Sequence, residues 1–378
     1  MSRIILTAEN FAFGPIGKLL DIAEELKKRG HNLTFAGYGT SYQLAKNFPF
    51  DTLIEIDTDN PKNNDSLIEI IKNGQVLVTS MDLASVIAAK KAKVPVVWID
   101  CLFWFWTSIS DVLFDIDIYI REKSLKDDVN DKKYATKIKN LYTVGTIIPK
   151  VKSIKREKQA IISFGGGEAS YWYKEGVDTN FPTMMTEILS KYVNWSDFEK
   201  IIVTTNERIV DELAAKFPES KFTFTTCGSH TGFLKELAKS EIALITPGLV
   251  TSQSVFDFGT PTLFIPPSNN SQYIQIEEFK ETGLAVASVR LDEFLPKLQL
   301  RGRNPHDTVK DVLEQLKLVD GSVDLKRKIG SAINELILTR NVWKDEAVSR
   351  GHEFIESLGG NGLDRVISKI EETIKNHK

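Results

Sequence analysis

Thr246, Pro247 and Gly248 close an apolar run that ends at Ile245, and a helical stretch begins at once with Leu249, Val250, Thr251, Ser252, Gln253 and Ser254. A strand that passes straight into a helix turns the helix's first N–H groups outward at the carboxyl edge of its sheet. Those donors, with the positive end of the helix dipole, suit a phosphate or diphosphate. Gly248 lets a ligand approach the backbone closely, and Thr251 and Ser252 add hydroxyl donors. A capped turn that binds nothing has the same local sequence, so this stretch alone leaves both readings open.

Two further glycine turns have the same form. Gly165, Gly166 and Gly167 follow the strand-like QAIISF, and Gly14 and Gly17 stand between RIILTA and the first helical pattern. Neither is a G-x-G-x-x-G dinucleotide fingerprint or an ATP-binding P-loop. Glu9 and Asp100 each stand at the end of a strand, where a carboxylate can serve as general base. The apolar neighbours of Asp100 favour it for that role. His230 opens a helix near the second set of strand ends and reads as a cap or as a contact to a nucleotide. Phe103, Trp104 and Trp106, with Phe105 between them, read as core or as an aromatic face for an acceptor. Tyr171–Tyr173 invite the same reading more weakly.

The elements that must position these groups alternate along the chain. RIILTA, HNLTFAG, QVLVTS and VPVVWID are strand-like and are separated by helical patterns. QAIISFGGG, KIIVTTN, KFTFTTC, EIALITPG and TPTLFIPP repeat the rhythm in the second half, with GLAVASV as a last short strand. Strands joined by crossover helices make parallel sheets. The basic stretch 150–158, KVKSIKREK, reads as a linker between two α/β domains, and a cleft between domains is the default ligand site.

The bulk numbers agree. A chain of 378 residues exceeds one ordinary core. Its net charge of −3 gives no nucleic-acid footprint. Cys101 and Cys227 read as reduced thiols. No signal peptide or membrane-length apolar run is present, so a cytoplasmic protein with no integral membrane association is expected.

Together these segments resemble the GT-B glycosyltransferases, most closely inverting UDP-glycosyltransferases and macrolide glycosyltransferases. The peptidoglycan transferase that forms lipid II is a more distant likeness. The motif is TPGLVTSQSVFDFGTPTLFIPPSNNSQ, Thr246–Gln272, which follows the family's order of His-Gly-Gly, Ser/Thr, Glu, Gly-x-Pro, apolar strand, Pro and Asp-Gln. LLDIAEELKKRGHNLTFAG, YTVGTIIP, IISFGGG and GFLKELAKSEIALITPG extend the likeness over nearly the whole chain. It implies two Rossmann-like parallel-sheet α/β domains facing across a cleft. Residues 1–150 are the expected acceptor domain and 151–345 the nucleotide-sugar domain, with the helical segment 346–378 returning to the first.

By position, Thr246 replaces the family's donor-loop His, and Gly248 and Thr251 match. Ser254 stands for the Glu that grips the ribose, and Asn269, Asn270 and Gln272 are placed to hold sugar hydroxyls. Pro15 stands where many relatives carry the base His. The activity implied is transfer of a sugar from a nucleoside diphosphate sugar, of UDP type, to a small-molecule acceptor, with inversion. No metal and no cofactor beyond that co-substrate are expected, in a monomer or homodimer of natural-product biosynthesis type. A UDP-sugar epimerase or hydrolase of the same fold, and a non-catalytic sugar-nucleotide-binding partner protein, are the alternatives.

Overall fold

Residues 1–124, 128–150, 154–167 and 180–377 are described by a computed structural model. They divide into two units, Met1–Lys150 with Ile355–Lys378, and Val151–Phe354.

The first unit holds seven strands: β1 (Arg3–Ala8), β2 (Asn32–Gly37), β3 (Thr52–Glu55), β4 (Val76–Ser80), β5 (Val96–Asp100), β6 (Ile118–Glu122) and β7 (Leu141–Val144). They pair in the order β3-β2-β1-β4-β5-β6-β7, each junction parallel. Its helices are α1 (Gly14–Lys28), α2 (Gly39–Ala45), α3 (Asn64–Lys72), α4 (Leu83–Ala92), α5 (Asp128–Tyr134) and the last of the chain, α14 (Leu363–Asn376). Strands β4 and β5 are buried at every residue, as a parallel sheet covered on both faces requires. Leu19, Leu20, Ile22, Ala23 and Leu26 of α1 meet Leu363, Val366, Ile367, Ile370 and Ile374 of α14 in one core with Ile4, Leu6, Val76 and Val78. The spacing of the α14 residues is one helical stripe.

The second unit holds β8 (Glu157–Ser163), β9 (Lys200–Thr204), β10 (Phe222–Phe224), β11 (Ser240–Ile245), β12 (Thr262–Phe264) and β13 (Ala287–Ser288), in the order β10-β9-β8-β11-β12-β13 and again parallel. Its helices are α6 (Phe181–Tyr192), α7 (Glu207–Lys216), α8 (His230–Lys239), α9 (Leu249–Asp257), α10 (Asn270–Glu281), α11 (Pro305–Asp320), α12 (Val323–Leu338) and α13 (Arg340–Ser357). Most of α13 stays here, because Phe354 packs edge-on against Phe256 and Phe279 with ring centroids 5.6 and 6.1 Å away. The segment that joins the first unit is therefore shorter than 346–378.

Strands β3 and β6 and helix α2 have no counterpart in the sequence reading. β6, IYIRE, ends in two charged residues that mask it. Glu122 is buried all the same: its Oε1 accepts from Lys18 Nζ at 2.7 Å and from the Ile147 N–H at 2.5 Å. Lys18 is fully buried in the second turn of α1 and also donates to the Ile147 carbonyl at 2.6 Å. Of the basic stretch expected as a linker, Glu157 and Lys158 belong to β8. Arg156 donates to the carbonyls of Ala238, Ser240, Phe258 and Gly259 at 2.5–3.3 Å, gathering the ends of α8 and α9 at the start of β8.

Candidate functional site

In the second sheet the chain runs from β8 outward through β9 to β10, then returns to β11 on the other flank of β8. That reversal is the topological switch point where open α/β sheets take ligands. Ser163 and Ile245, the last residues of β8 and β11, are register partners, and the Thr246 N–H donates to the Ser163 carbonyl at 3.2 Å. The Gly165–Gly167 turn and the Thr246–Gly248 turn therefore leave neighbouring strand ends. Gly248 is the N-cap of α9, and no side chain caps it. The first-turn amides of Leu249, Val250 and Thr251 consequently have no acceptor within the helix. Ser252 Oγ, in the next position, is buried with no hydrogen-bond partner among the described residues. Gly248 has φ −81°, an ordinary value. A Cβ on it would meet nothing nearer than Gln272 Nε2 at 3.8 Å. The fold does not demand a glycine there.

The remaining residues expected on the donor side divide. Gly165 and Gly167 sit at φ +66° and +65°, a conformation that favours glycine. Gln272 ties the start of α10 to the donor turn, its Oε1 accepting from Ser268 N–H and Oγ and its Nε2 donating to Thr246 Oγ1 at 3.3 Å. Asn269 caps α10 by accepting from the Gln272 N–H at 3.0 Å. Asn270 is buried and donates to Thr308 Oγ1 at 2.8 Å. Ser254 is buried, and its hydroxyl donates to the Val250 carbonyl at 3.0 Å, the usual back-bond of a helical serine. These four side chains hold protein groups, and Ser254 does not present its hydroxyl to a ribose in this arrangement. Pro247 is buried in the turn. His230 opens α8 after the Ser229 cap, half-buried. Just before it Cys227 and Gly228 both take positive φ, +60° and +71°. Tyr171–Tyr173 lie outside the described residues.

In the first sheet the switch point falls between β1 and β4, whose ends Ala8 and Ser80 are register partners. Glu9 follows β1, half-buried, its N–H donating to the Ser80 carbonyl at 2.9 Å. Two residues with positive φ flank it, Ala12 at +45° after β1 and Met81 at +63° after β4. Backbone strain at ligand-bearing strand ends is common. Gly14 is the first residue of α1 and half-buried. Gly17 lies inside α1, buried, with its amide given to the Phe13 carbonyl.

Asp100 departs from the expectation of a base facing the acceptor. It is fully buried, and its carboxylate accepts from the Leu102 N–H at 2.7 Å, Trp106 Nε1 at 3.1–3.2 Å and the Tyr119 hydroxyl at 2.5 Å. Burial first, then the Asp100 charge, pushes the Tyr119 phenol well above its ordinary value, so the proton stays on Tyr119. Phe103 is likewise core rather than acceptor surface. It is fully buried against Tyr119 and lies 4.5 Å beneath the Arg121 guanidinium. Trp104 and Trp106 stay half-buried, Trp104 against Phe105 and Trp106 held by Asp100.

Two features escaped the sequence reading. Asp82 caps α4 at the end of β4, accepting from the Ser85 N–H and hydroxyl, and burial pushes its carboxyl up. The signal was present in QVLVTSMD, a strand followed by a carboxylate as in VVWID. Thr205 and Asn206, just past β9, hold the carbonyls of Gly165 and Gly166 at 2.9 and 2.7 Å. Nothing local marks them, because the pairing depends on which strands are neighbours. Two Asp-x-Asp triplets occur, Asp57–Asp59 and Asp115–Asp117. Tyr38 donates to Asp59, Lys90 pairs with Asp115, and the Val96 N–H donates to Asp117. Among the described residues no three His, Cys, Asp or Glu side chains gather as metal ligands, and no helix is long and apolar enough to cross a membrane.

No known family model and no curated protein matches the chain. Solved structures do. Os79 from O. sativa, in complex with UDP, is 12% identical with a TM-score of 0.59, over 99% of this chain and 100% of that one. The spinosyn rhamnosyltransferase SpnG is 9% identical with a TM-score of 0.56, over 98% and 100%. A candidate UDP-N-acetylglucosamine 2-epimerase from Listeria monocytogenes is 11% identical with a TM-score of 0.50, over 89% and 95%. At these identities the likeness is one of fold. The chain has the architecture of these structures, two parallel-sheet α/β units, which is the GT-B fold.

Proposed function

We propose that the chain is a glycosyltransferase that moves a sugar from a UDP-type donor to a small-molecule acceptor, with inversion and without a metal. The observation that carries this reading is the second unit's switch point, where the uncapped start of α9 stands beside the triple-glycine turn. Amides of both turns bind the donor's diphosphate and stabilise the charge that grows on it as the bond to the anomeric carbon breaks. The acceptor oxygen forms the new bond at that carbon and gives up its proton to a base. Glu9 is the better placed of the two carboxylates for that base. It is half-buried at the first unit's switch point, whereas Asp100 is buried beneath three donors. The half-buried Trp104 offers an acceptor ring a face to stack on.

The test is incubation of the purified protein with UDP-sugars and an acceptor panel, followed by mass spectrometry. A glycosylated acceptor with release of UDP is the expected outcome. A new UDP-sugar isomer would make the protein an epimerase, and acceptor-independent UDP release a hydrolase. Binding without turnover would make it a partner protein. With an acceptor in hand, Glu9→Gln is expected to lower kcat about 10²–10⁴-fold, the range for a lost general base. Its donor affinity should stay within a factor of three. Asp100→Asn is expected to lower thermal stability instead, and the opposite pattern in the two variants would return the base role to Asp100.

A further inference from the structure

The glycine turn after β8 is held by residues that the donor reading leaves unused. Thr205 Oγ1 donates to the Gly165 carbonyl at 2.9 Å, and Asn206 Nδ2 donates to the Gly166 carbonyl at 2.7 Å. Both side chains are buried just past the end of β9. Asn206 is fixed in turn, because its Oδ1 accepts from the Ile209 N–H at 2.9 Å as the cap of α7. In a trans peptide the N–H points opposite to the C=O of the same unit. Pulling the Gly165 carbonyl toward β9 therefore turns the Gly166 N–H away from β9. The strand on β8's other flank is β11, whose end opens into α9. A Cβ on Gly165 would meet nothing within 4 Å, so the turn is shaped by its φ of +66° and by these two anchors rather than by crowding. On that flank Ser252 Oγ, in the first turns of α9, is buried with no hydrogen-bond partner among the described residues.

We infer that Thr205 is a positioning residue, with Asn206 beside it, that aims the Gly166 amide at the donor's diphosphate. The two strand-end turns then act as one cradle rather than as two separate loops. Thr205 touches no substrate; it acts through the peptide it holds. This inference rests on the donor site proposed above and adds to it the device that sets the direction of the amides.

The experiment compares UDP with uridine, which shares the base and ribose but has no phosphate, by calorimetry and NMR titration on the full chain. Thr205→Val keeps the shape and removes the donor hydroxyl. Thr205→Ser keeps the hydroxyl. Thr205→Val is expected to weaken UDP about 10-fold, the scale of one lost hydrogen bond to a charged group, and to leave uridine within a factor of two. Thr205→Ser is expected to restore UDP binding. If wild type binds UDP and Thr205→Val binds it equally well, the inference fails while the donor site stands. A parallel loss of UDP and uridine, or no rescue by serine, reduces Thr205 to a fold residue and overturns the inference. If wild type binds no UDP, the donor site and this inference fall together.

Discussion

Gly248→Asp is expected to fold like the wild type and to lose UDP binding by at least two orders of magnitude. Folding should survive because φ is −81° and the space around a new Cβ is open, with Gln272 Nε2 at 3.8 Å and the Thr246 carbonyl at 4.0 Å as its nearest neighbours. Binding should not, because the carboxylate would stand at the N-cap of α9 among the amides meant for the phosphates. At about 4 Å a pair of like charges near a protein surface repels by about 4 kcal/mol, and a diphosphate carries more than one. Each 1.4 kcal/mol is about a tenfold loss. Asp is also a good N-cap, so its own carboxylate would take up first-turn amides in place of a ligand. Calorimetry with UDP and a thermal melt settle the matter together. An intact melt with unchanged affinity would remove the α9 turn from the site, and Gly248→Ala serves as the uncharged control.

The second large effect concerns stability. Lys18→Met is expected to destabilise the first unit by about 3–5 kcal/mol, because it strands the Glu122 carboxylate in the interior. The two side chains have relative exposures of 0% and 2%, and the Ile147 carbonyl loses its donor at the same time. The double variant Lys18→Met/Glu122→Leu should cost less than the sum of the single changes, with a coupling of about 1–3 kcal/mol. Urea unfolding followed by tryptophan fluorescence reads this out, since Trp98, Trp104 and Trp106 lie in the same unit. Strict additivity would show that the pair does not act as a unit.

The legible part of this fold was the part written in apolar runs. β1, β4, β5, β8, β9 and β11 are short, apolar and bounded by turn residues, and periodicity finds such strands. β6 was hidden because its buried end carries Arg121 and Glu122, whose partners come from Lys18, Thr143 and other distant residues. The glycine turns were visible as turns. That two of them share a switch point was not, since strand order is a property of the sheet. The same limit explains Asp100 and Phe103. A strand-end carboxylate beside an aromatic run reads as a reactive group beside a binding face. Only the tertiary arrangement shows Tyr119 and Trp106 donating to Asp100, and Arg121 lying over Phe103. Ser254 differs again, since a bond to the carbonyl four residues earlier, here Val250, is a local option open to any helical serine.

The first unit is closed by residues that are translated only after the whole of the second. Its core needs Leu363, Val366, Ile367, Ile370 and Ile374 of α14. Near the crossing, the Gly362 N–H donates to the Thr146 carbonyl at 2.6 Å and Asn361 Nδ2 to the Ile148 carbonyl at 2.6 Å. A nascent chain therefore carries an unfinished amino-terminal half, with its α14-facing apolar surface unsealed, throughout synthesis of all of Val151–Phe354. Folding of the first unit before the second, the ordinary order for tandem domains, is closed to this topology. The second unit, continuous in sequence, can mature first, and a helix translated after it seals the unit that was begun before it.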